Sequence, residues 1–337
     1  MLQTLQSEGL KAFFETKKSI VITMHRGPDG DAIGSTLGLA HFLAKLNVKA
    51  HVVAPDDFPE FLKWMPGAED IVVFEKDSPK AAELVKESDA ILCLDFNHPS
   101  RMSALQDVVL HSDKPKFVID HHQDPSDFAE EYFVDVNASS TAELVFRMIK
   151  EMGLTDLITQ EAAICLYTGL VTDTGSFRFS SVTPEVLRIA AELIETGIDH
   201  TTVYNEVFDN STYSRLKLIG YALNRKTFVI PEARTAYIAL TAEELKEYDY
   251  QKGDTEGLVN YALGLKGIDV AGFFYEMDGF VKLSLRSKGR VHVNEVSSTY
   301  FNGGGHKMAA GGRTSASLDE TIALFEKIAK SDFSLNL

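Results

Sequence analysis

Asp and His residues recur in this chain where apolar runs end. They are His25, Asp29 and Asp31 in ITMHRGPDGDAIGS, Asp95 in ILCLDFNH, Asp120, His121 and His122 in KFVIDHH, and Asp173 in LVTDTGSF. Groups of this kind are costly to take out of water unless they are paired or bound to a metal, so packing does not account for them. Oxygen and imidazole donors without thiolates suit Mn²⁺ or Mg²⁺ rather than a structural zinc. The chemistry such a set could perform is hydrolysis of a phosphate ester by two metal ions.

Each piece alone has a plainer reading. Asp29 and Asp31 flank Gly30 and could merely cap a helix beginning at Ala32, and Pro-Asp-Gly is a common turn. His25 alone reads as a satisfied histidine at a strand end. Asp95 closes an apolar run, where an unpaired carboxylate is expensive, and is placed to bridge two metals; the alternative is an Asp that starts the turn into NHPSRM. His98 reads as exposed. Consecutive residues of an extended strand point to opposite sides, which assigns His121 to a metal and His122 to a substrate phosphate. Asp120 then orients an imidazole as a supporting acceptor. Asp173, at the end of LYTGLVTDTG, could belong to a helix cap; beside five placed ligands it completes the second metal site. Near the C-terminus, FNGGGHKMAAGG offers Gly303, Gly304, Gly305 and His306, whose backbone could approach a phosphate or carboxylate. Arg286 and Ser287 in LSLRSKG add a guanidinium able to grip a terminal phosphate in a bidentate manner. Lys288 and Arg290 read as surface charge.

These residues need elements to hold them. SIVITMH, KAHVVAP, DIVVFE, DAILCLDFN and KFVIDHH read as strands, SIVITMH being apolar enough for burial on both faces. Between and after them DAIGSTLGLAHFLAKLN (Ile33, Leu37, Ala40 and Ala44 at helical spacing), SPKAAELVKES, STAELVFRMIKEMG, TQEAAICLYTGLVTDTG and TPEVLRIAAELIETG read as helices. The alternation predicts an α/β fold with a doubly wound, mostly parallel sheet, whose ligands gather beyond the C-terminal strand ends. A smaller α/β domain is expected after it, with strands TFVIPEARTAYIAL and VAGFFYEMDGFVKLSLRS, a hairpin turn at Asp278-Gly279, and a short strand at VHV. The expected boundaries are a metal-binding catalytic domain over 1–195, a helical linker over 196–225 and a substrate-binding domain over 226–337.

A length of 337 residues suits two domains. The net charge of −16 argues against long duplex DNA as a partner. Residues 1–225 carry 20 Lys and Arg against 34 Asp and Glu, and residues 226–337 carry 13 against 15. From Lys282 to Arg313 six basic residues (Lys282, Arg286, Lys288, Arg290, Lys307, Arg313) face one acid, Glu295. An acidic half that holds metal, joined to a half with a basic stripe, suits a small anionic substrate. No apolar run approaches a membrane span, and the N-terminus (Leu2, Leu5, Leu10, Phe13, Phe14) is amphipathic rather than a signal peptide. Cys93 and Cys165 sit in apolar segments and read as buried free thiols. The expected location is the cytoplasm, with no membrane partner.

The combination resembles the DHH phosphoesterase superfamily over nearly the whole length: the His25–Asp31 motif, Asp95, Asp120-His121-His122, Asp173, and the GGGH of a DHH-associated C-terminal domain at Gly303–His306. Within it the chain is most similar to the nanoRNase/pAp-phosphatase group, which acts on very short oligonucleotides and on 3′-phosphoadenosine 5′-phosphate (pAp). The resemblance implies that His25, Asp29 and Asp95 bind one Mn²⁺, and that Asp31, Asp95, His121 and Asp173 bind the other, with Mg²⁺ or Co²⁺ as alternatives. Asp95 and His122 would be the catalytic residues. Arg286, Ser287 and Gly303–His306 would hold the nucleotide or its terminal phosphate. Arg26-Gly27 departs from the smaller or apolar residues common in relatives. A homodimer is compatible with such a fold. Hydrolysis of linear or cyclic dinucleotides is the rival activity. A RecJ-like exonuclease needs further domains, a family II pyrophosphatase lacks the GGGH loop, and a silent nucleotide sensor would have a broken ligand set. No extended basic track for long single strands is visible in the sequence.

Overall fold

The structure, a computed structural model, describes residues 7–277 and 279–333. Its chain forms two compact units, the first ending at Asn210 and the second beginning at Ser211. In the first unit the order is α1 (Ser7–Glu15), β1 (Ser19–Thr23), α2 (Gly30–Lys45), β2 (Lys49–Ala54), β3 (Val72–Val73), α3 (Ser78–Glu87), β4 (Ala90–Leu94), α4 (Leu105–Leu110), β5 (Lys116–Asp120), β6 (Glu131–Val134), α5 (Thr141–Glu151), α6 (Gln160–Asp173), α7 (Pro184–Glu195) and α8 (His200–Val207). Phe14 of α1 is fully buried; Leu2 and Leu5 lie outside the described residues, as does the side chain of Leu10.

The six strands form one parallel sheet in the order β3-β2-β1-β4-β5-β6. Strands β4 and β5 are buried along their whole length, because helices cover both faces, and that is why they read as unbroken apolar runs. The strand order reverses direction between β1 and β4. At such a switch point the connections leave to opposite faces and open a crevice beyond the C-terminal strand ends. Two features of this unit are not legible in the sequence. EYFV over 131–134 adds β6 at the sheet edge, although only its two central residues are buried. Helix α2 packs along α6 through Gly30, Gly34 and Gly38, spaced four apart. A Cβ on Gly34 would lie 2.4 Å from the Cys165 carbonyl oxygen, and one on Gly38 would lie 2.6 Å from Leu166. The two backbones therefore approach more closely than side chains allow.

The second unit runs α9 (Tyr213–Arg225), β7 (Thr227–Ile230), β8 (Thr235–Leu240), α10 (Ala242–Glu247), α11 (Leu258–Leu263), β9 (Val270–Met277), β10 (Phe280–Ser287), α12 (Val293–Tyr300), β11 (Gly304–His306), β12 (Ala309–Thr314) and α13 (Leu318–Ile328). Its mixed sheet has the order β11-β12-β10-β9-β8-β7, with β8 and β9 parallel and the other pairs antiparallel. Helices α12 and α13 cover one face and α9 to α11 the other, over β8 and β9. The expected hairpin joins β9 to β10; Asp278 lies outside the described residues, and Gly279 has φ +83°. TFVIPEARTAYIAL is two strands rather than one, broken at Pro231, which cannot donate to the ladder. VHV over 291–293 is not a strand: Val293 begins α12, with His292 at its N-cap. No helix among the described residues is long and apolar enough to cross a membrane.

Candidate metal centre

Beyond the C-terminal ends of β1, β4 and β5, the acidic and imidazole side chains converge. His25 lies two residues past β1, Asp95 directly follows β4, and His121 and His122 follow β5. Asp95 adopts the left-handed conformation, φ +65°, while its backbone N–H still donates to the Ile119 carbonyl at 3.0 Å. The reversal turns its carboxylate out of the sheet, in a conformation Asp tolerates better than most residues. Asp31 enters from the first turn of α2 and Asp173 from the last residue of α6. The glycine contact between these helices brings the two together, and a Cβ on Gly169 would lie 2.8 Å from Asp31 Oδ1.

Among the described residues of the first unit, three groups of donors have their ligand atoms within 4.8 Å of one another: His25, Asp29 and Asp95; Asp31, His121 and Asp173; and Asp95, Asp120 and His122. His25 Nε2 is 3.7 Å from Asp29 Oδ2 and 3.3 Å from Asp95 Oδ2. His121 Nε2 is 3.5 Å from Asp95 Oδ1, 3.4 Å from Asp173 Oδ2 and 3.9 Å from Asp31 Oδ2. Asp95 therefore turns one oxygen toward each of the first two groups. Asp29 caps a helix and also faces an imidazole. Its Oδ1 caps α2, which begins at Gly30 and not Ala32, by accepting from the N–H groups of Asp31 and Ala32, while Oδ2 faces His25. His121 and His122 lie past the strand with ring centroids 4.9 Å apart and edge-on. His122 Nδ1 is 2.7 Å from Asp120 Oδ1, whereas Asp120 Oδ2 is buried without a hydrogen-bond partner. His98 is exposed and accepts the Ser100 N–H.

The electrostatics are those of a site that wants cations. Burial and then the charges of Asp95 and Asp173 push the Asp31 carboxyl well above the usual range. Burial would lower His25, but its bonds to Asp29 and Asp95 hold it up at about 10. Burial likewise opposes ionisation of Asp95, yet His121 and His25 hold it well below the carboxylate range. The carboxylates of Asp29, Asp31, Asp95 and Asp173 lie close together, their repulsion offset by imidazoles and by N–H and O–H donors, and the ligand atoms are oxygen and nitrogen. That set fits a pair of divalent cations such as Mn²⁺ or Mg²⁺.

A residue absent from the sequence reading supports both groups. Thr141, the first residue of α5, donates its Oγ1–H to Asp95 Oδ1 at 2.9 Å and its N–H to Asp31 Oδ2 at 2.6 Å. The Ala142 N–H donates to Asp31 Oδ1 at 2.9 Å. In the sequence Thr141 is only part of the helical segment STAELVFRMIKEMG, with nothing to mark its long-range bonds.

In the second unit Arg286, on β10, and His306, on β11, lie in one cross-strand row with Ala309 between them. Ser287 is turned to the buried face, where its hydroxyl accepts the Gly289 and Val291 N–H groups and so holds the loop after Arg286. Gly303 donates its N–H to the Ser297 carbonyl, and a Cβ there would collide with Gly311 O, so packing requires this glycine. Gly305, φ +138°, is likewise required by the backbone, whereas a Cβ on Gly304 would meet nothing.

Comparison with known proteins follows the same division. The family described as "DHH family, N-terminal domain" matches residues 19–170, and the DHHA1 domain matches residues 234–331. The bifunctional oligoribonuclease and PAP phosphatase NrnA of Thermus thermophilus is 34% identical, over 91% of this chain and 86% of that protein. A probable protein of the same description from Streptococcus mutans is 29% identical, over 92% of this chain and 94% of the relative. The crystal structure of an exopolyphosphatase-related protein from Bacteroides fragilis superposes with a TM-score of 0.93 at 41% identity, covering 98% of this chain and 97% of that one.

Proposed function

The chain belongs to the DHH family and is a phosphoesterase, and from that premise we propose that it hydrolyses short oligoribonucleotides and pAp to nucleoside monophosphates with two divalent metal ions, Mn²⁺ foremost. The observation that carries the reading is the pair of donor groups joined through the two oxygens of Asp95. His25, Asp29 and Asp95 would hold one ion, and Asp31, Asp95, His121 and Asp173 the other. Such ions, when bound, supply a water acidic enough to attack phosphorus and charge to offset that of the transition state.

The chain's own residues have separate tasks. Asp95 and Thr141 fix the spacing of the two ligand groups. Asp120 takes the Nδ1–H of His122, which leaves Nε2 as the ring atom for a substrate phosphate. Burial of Asp31, Asp95 and His121 keeps bulk water from competing with the ligands and strengthens every charge interaction there. Arg286, His306 and the bare backbone at Gly304 bind the nucleotide portion or its terminal phosphate.

The test is Mn²⁺-dependent hydrolysis of pAp, pApA, c-di-AMP and a five-nucleotide RNA at equal concentration. Rapid turnover of pAp and the RNA, with c-di-AMP spared, is expected. Preference for c-di-AMP or pApA would move the assignment to dinucleotide turnover.

A further inference from the structure

One face of the C-terminal sheet stays exposed at positions of β10, β11 and β12. Along β10, Val281, Leu283, Leu285 and Ser287 point into the core under α12 and α13, so Lys282, Ser284 and Arg286 point the other way. Strand register extends each of these into a row. Arg286 is followed by Ala309 and His306; Ser284 by Gly311 and Gly304; and Lys282 by Arg313, with Tyr275 on its other side. Helices α9 to α11 pack on this face over β8 and β9, and α11 also reaches β10, while Lys282, Gly304, Gly311 and Arg313 remain exposed.

Two features of these rows are unexplained by folding. Lys282 and Arg313 stand directly opposite one another, an arrangement that destabilises a strand pair. Neither forms an ion pair or a side-chain hydrogen bond among the described residues; Lys282 Nζ rests 6.0 Å from the Tyr275 ring centroid. The middle row is bare although nothing demands it. A Cβ on Gly304 would meet no atom within 4 Å and one on Gly311 only Leu283 O at 3.6 Å, and neither residue has positive φ. Glycine inside a strand costs stability and marks a place where a ligand or a backbone comes close.

We propose that these rows form a track for three consecutive phosphates of an oligonucleotide: Arg286 with His306, then Ser284 with the open backbone of Gly311 and Gly304, then Lys282 with Arg313. Rows two residues apart on β10 are separated by about 6.7 Å, comparable to the step between neighbouring phosphates of a single strand, and the outer rows by about 13 Å. A nucleotide with two phosphates engages the first rows only. The last row is a subsite for chains of three nucleotides or more, and it accounts for the unpaired charge that the sequence alone leaves as solvated surface.

This inference rests on the proposed function. Its test is the Lys282→Ala/Arg313→Ala double variant of the full chain, with KM measured for a five-nucleotide RNA and for pAp at several salt concentrations. The ratio of KM for RNA to KM for pAp should rise about tenfold, and the slope of log affinity for RNA against log salt should fall by about 1.4, two contacts at roughly 0.7 each. The Lys282→Arg/Arg313→Lys variant, which keeps both charges, should retain the wild-type ratio and slope, and separates a charge effect from damage to the fold. An unchanged ratio and slope in the alanine variant would overturn this inference alone. Wild-type protein inert toward both RNA and pAp would overturn the proposed function and the track with it.

Discussion

The hydroxyl of Thr141 donates to Asp95 Oδ1 at 2.9 Å, while the N–H of the same residue donates to Asp31 Oδ2 at 2.6 Å. One residue at the start of α5 thus orients carboxylates from a strand end and from another helix. Thr141→Val keeps the shape and removes the hydroxyl, so the Mn²⁺ concentration giving half-maximal activity should rise about tenfold, with Thr141→Ser close to wild type. Equal metal dependence in the valine variant would show that the bond positions nothing.

Asp95 shares its oxygens between two donor groups, and no neighbour can replace both. Asp95→Ala should lower turnover roughly a thousandfold or more while the far-ultraviolet dichroism stays native. A variant that hydrolyses substrate normally would exclude the bridging role.

Proton release is the third expectation. In the metal-free protein His25 has a pKa of about 10, above its ordinary 6.5. Its protonation therefore stabilises the metal-free fold fully below about pH 6.5, and that contribution is lost as the pH rises through 10. A metal ion must displace this proton, so apparent Mn²⁺ affinity should rise about tenfold per pH unit near neutrality for each proton displaced. Calorimetric titration in buffers of different ionisation enthalpy measures the release; binding without proton release would contradict it.

Close approach of α2 and α6 supplies a stability prediction. Gly34→Ala would place its Cβ 2.4 Å from the Cys165 carbonyl oxygen, which must move. The expected cost is about 2 kcal/mol, lowering the melting temperature by about 4–8 °C. A melting curve superimposable on the wild type would mean that the helices separate freely.

Much of this site was legible because its residues interrupt apolar runs: Asp95 after ILCL and Asp120 after KFVI stand out where packing alone would place a hydrophobe. Thr141 was not, because a hydroxyl before a helix is explained locally by capping, and its long-range bonds depend on which strands are neighbours. The same limit hid the pairing of Lys282 with Arg313, which are 31 positions apart and opposed only through antiparallel register. Strand β6 is not legible because a four-residue edge strand with two half-buried ends carries little periodicity. Of the three glycines over 303–305, packing requires Gly303 and backbone conformation requires Gly305, a distinction the sequence has no means of making.

The glycine seam between α2 and α6 bears on ion preference. The approach of the helices that carry Asp31 and Asp173 is fixed where Gly34 rests on the backbone of Cys165 and Gly169, so the second donor group has little freedom to swell or shrink around its guest. Discrimination by ionic radius would then be governed from outside the coordination sphere. Enlarging a seam residue should shift the preference toward broader cations such as Ca²⁺ or Cd²⁺ with every ligand intact, giving a handle on selectivity that ligand replacement does not offer.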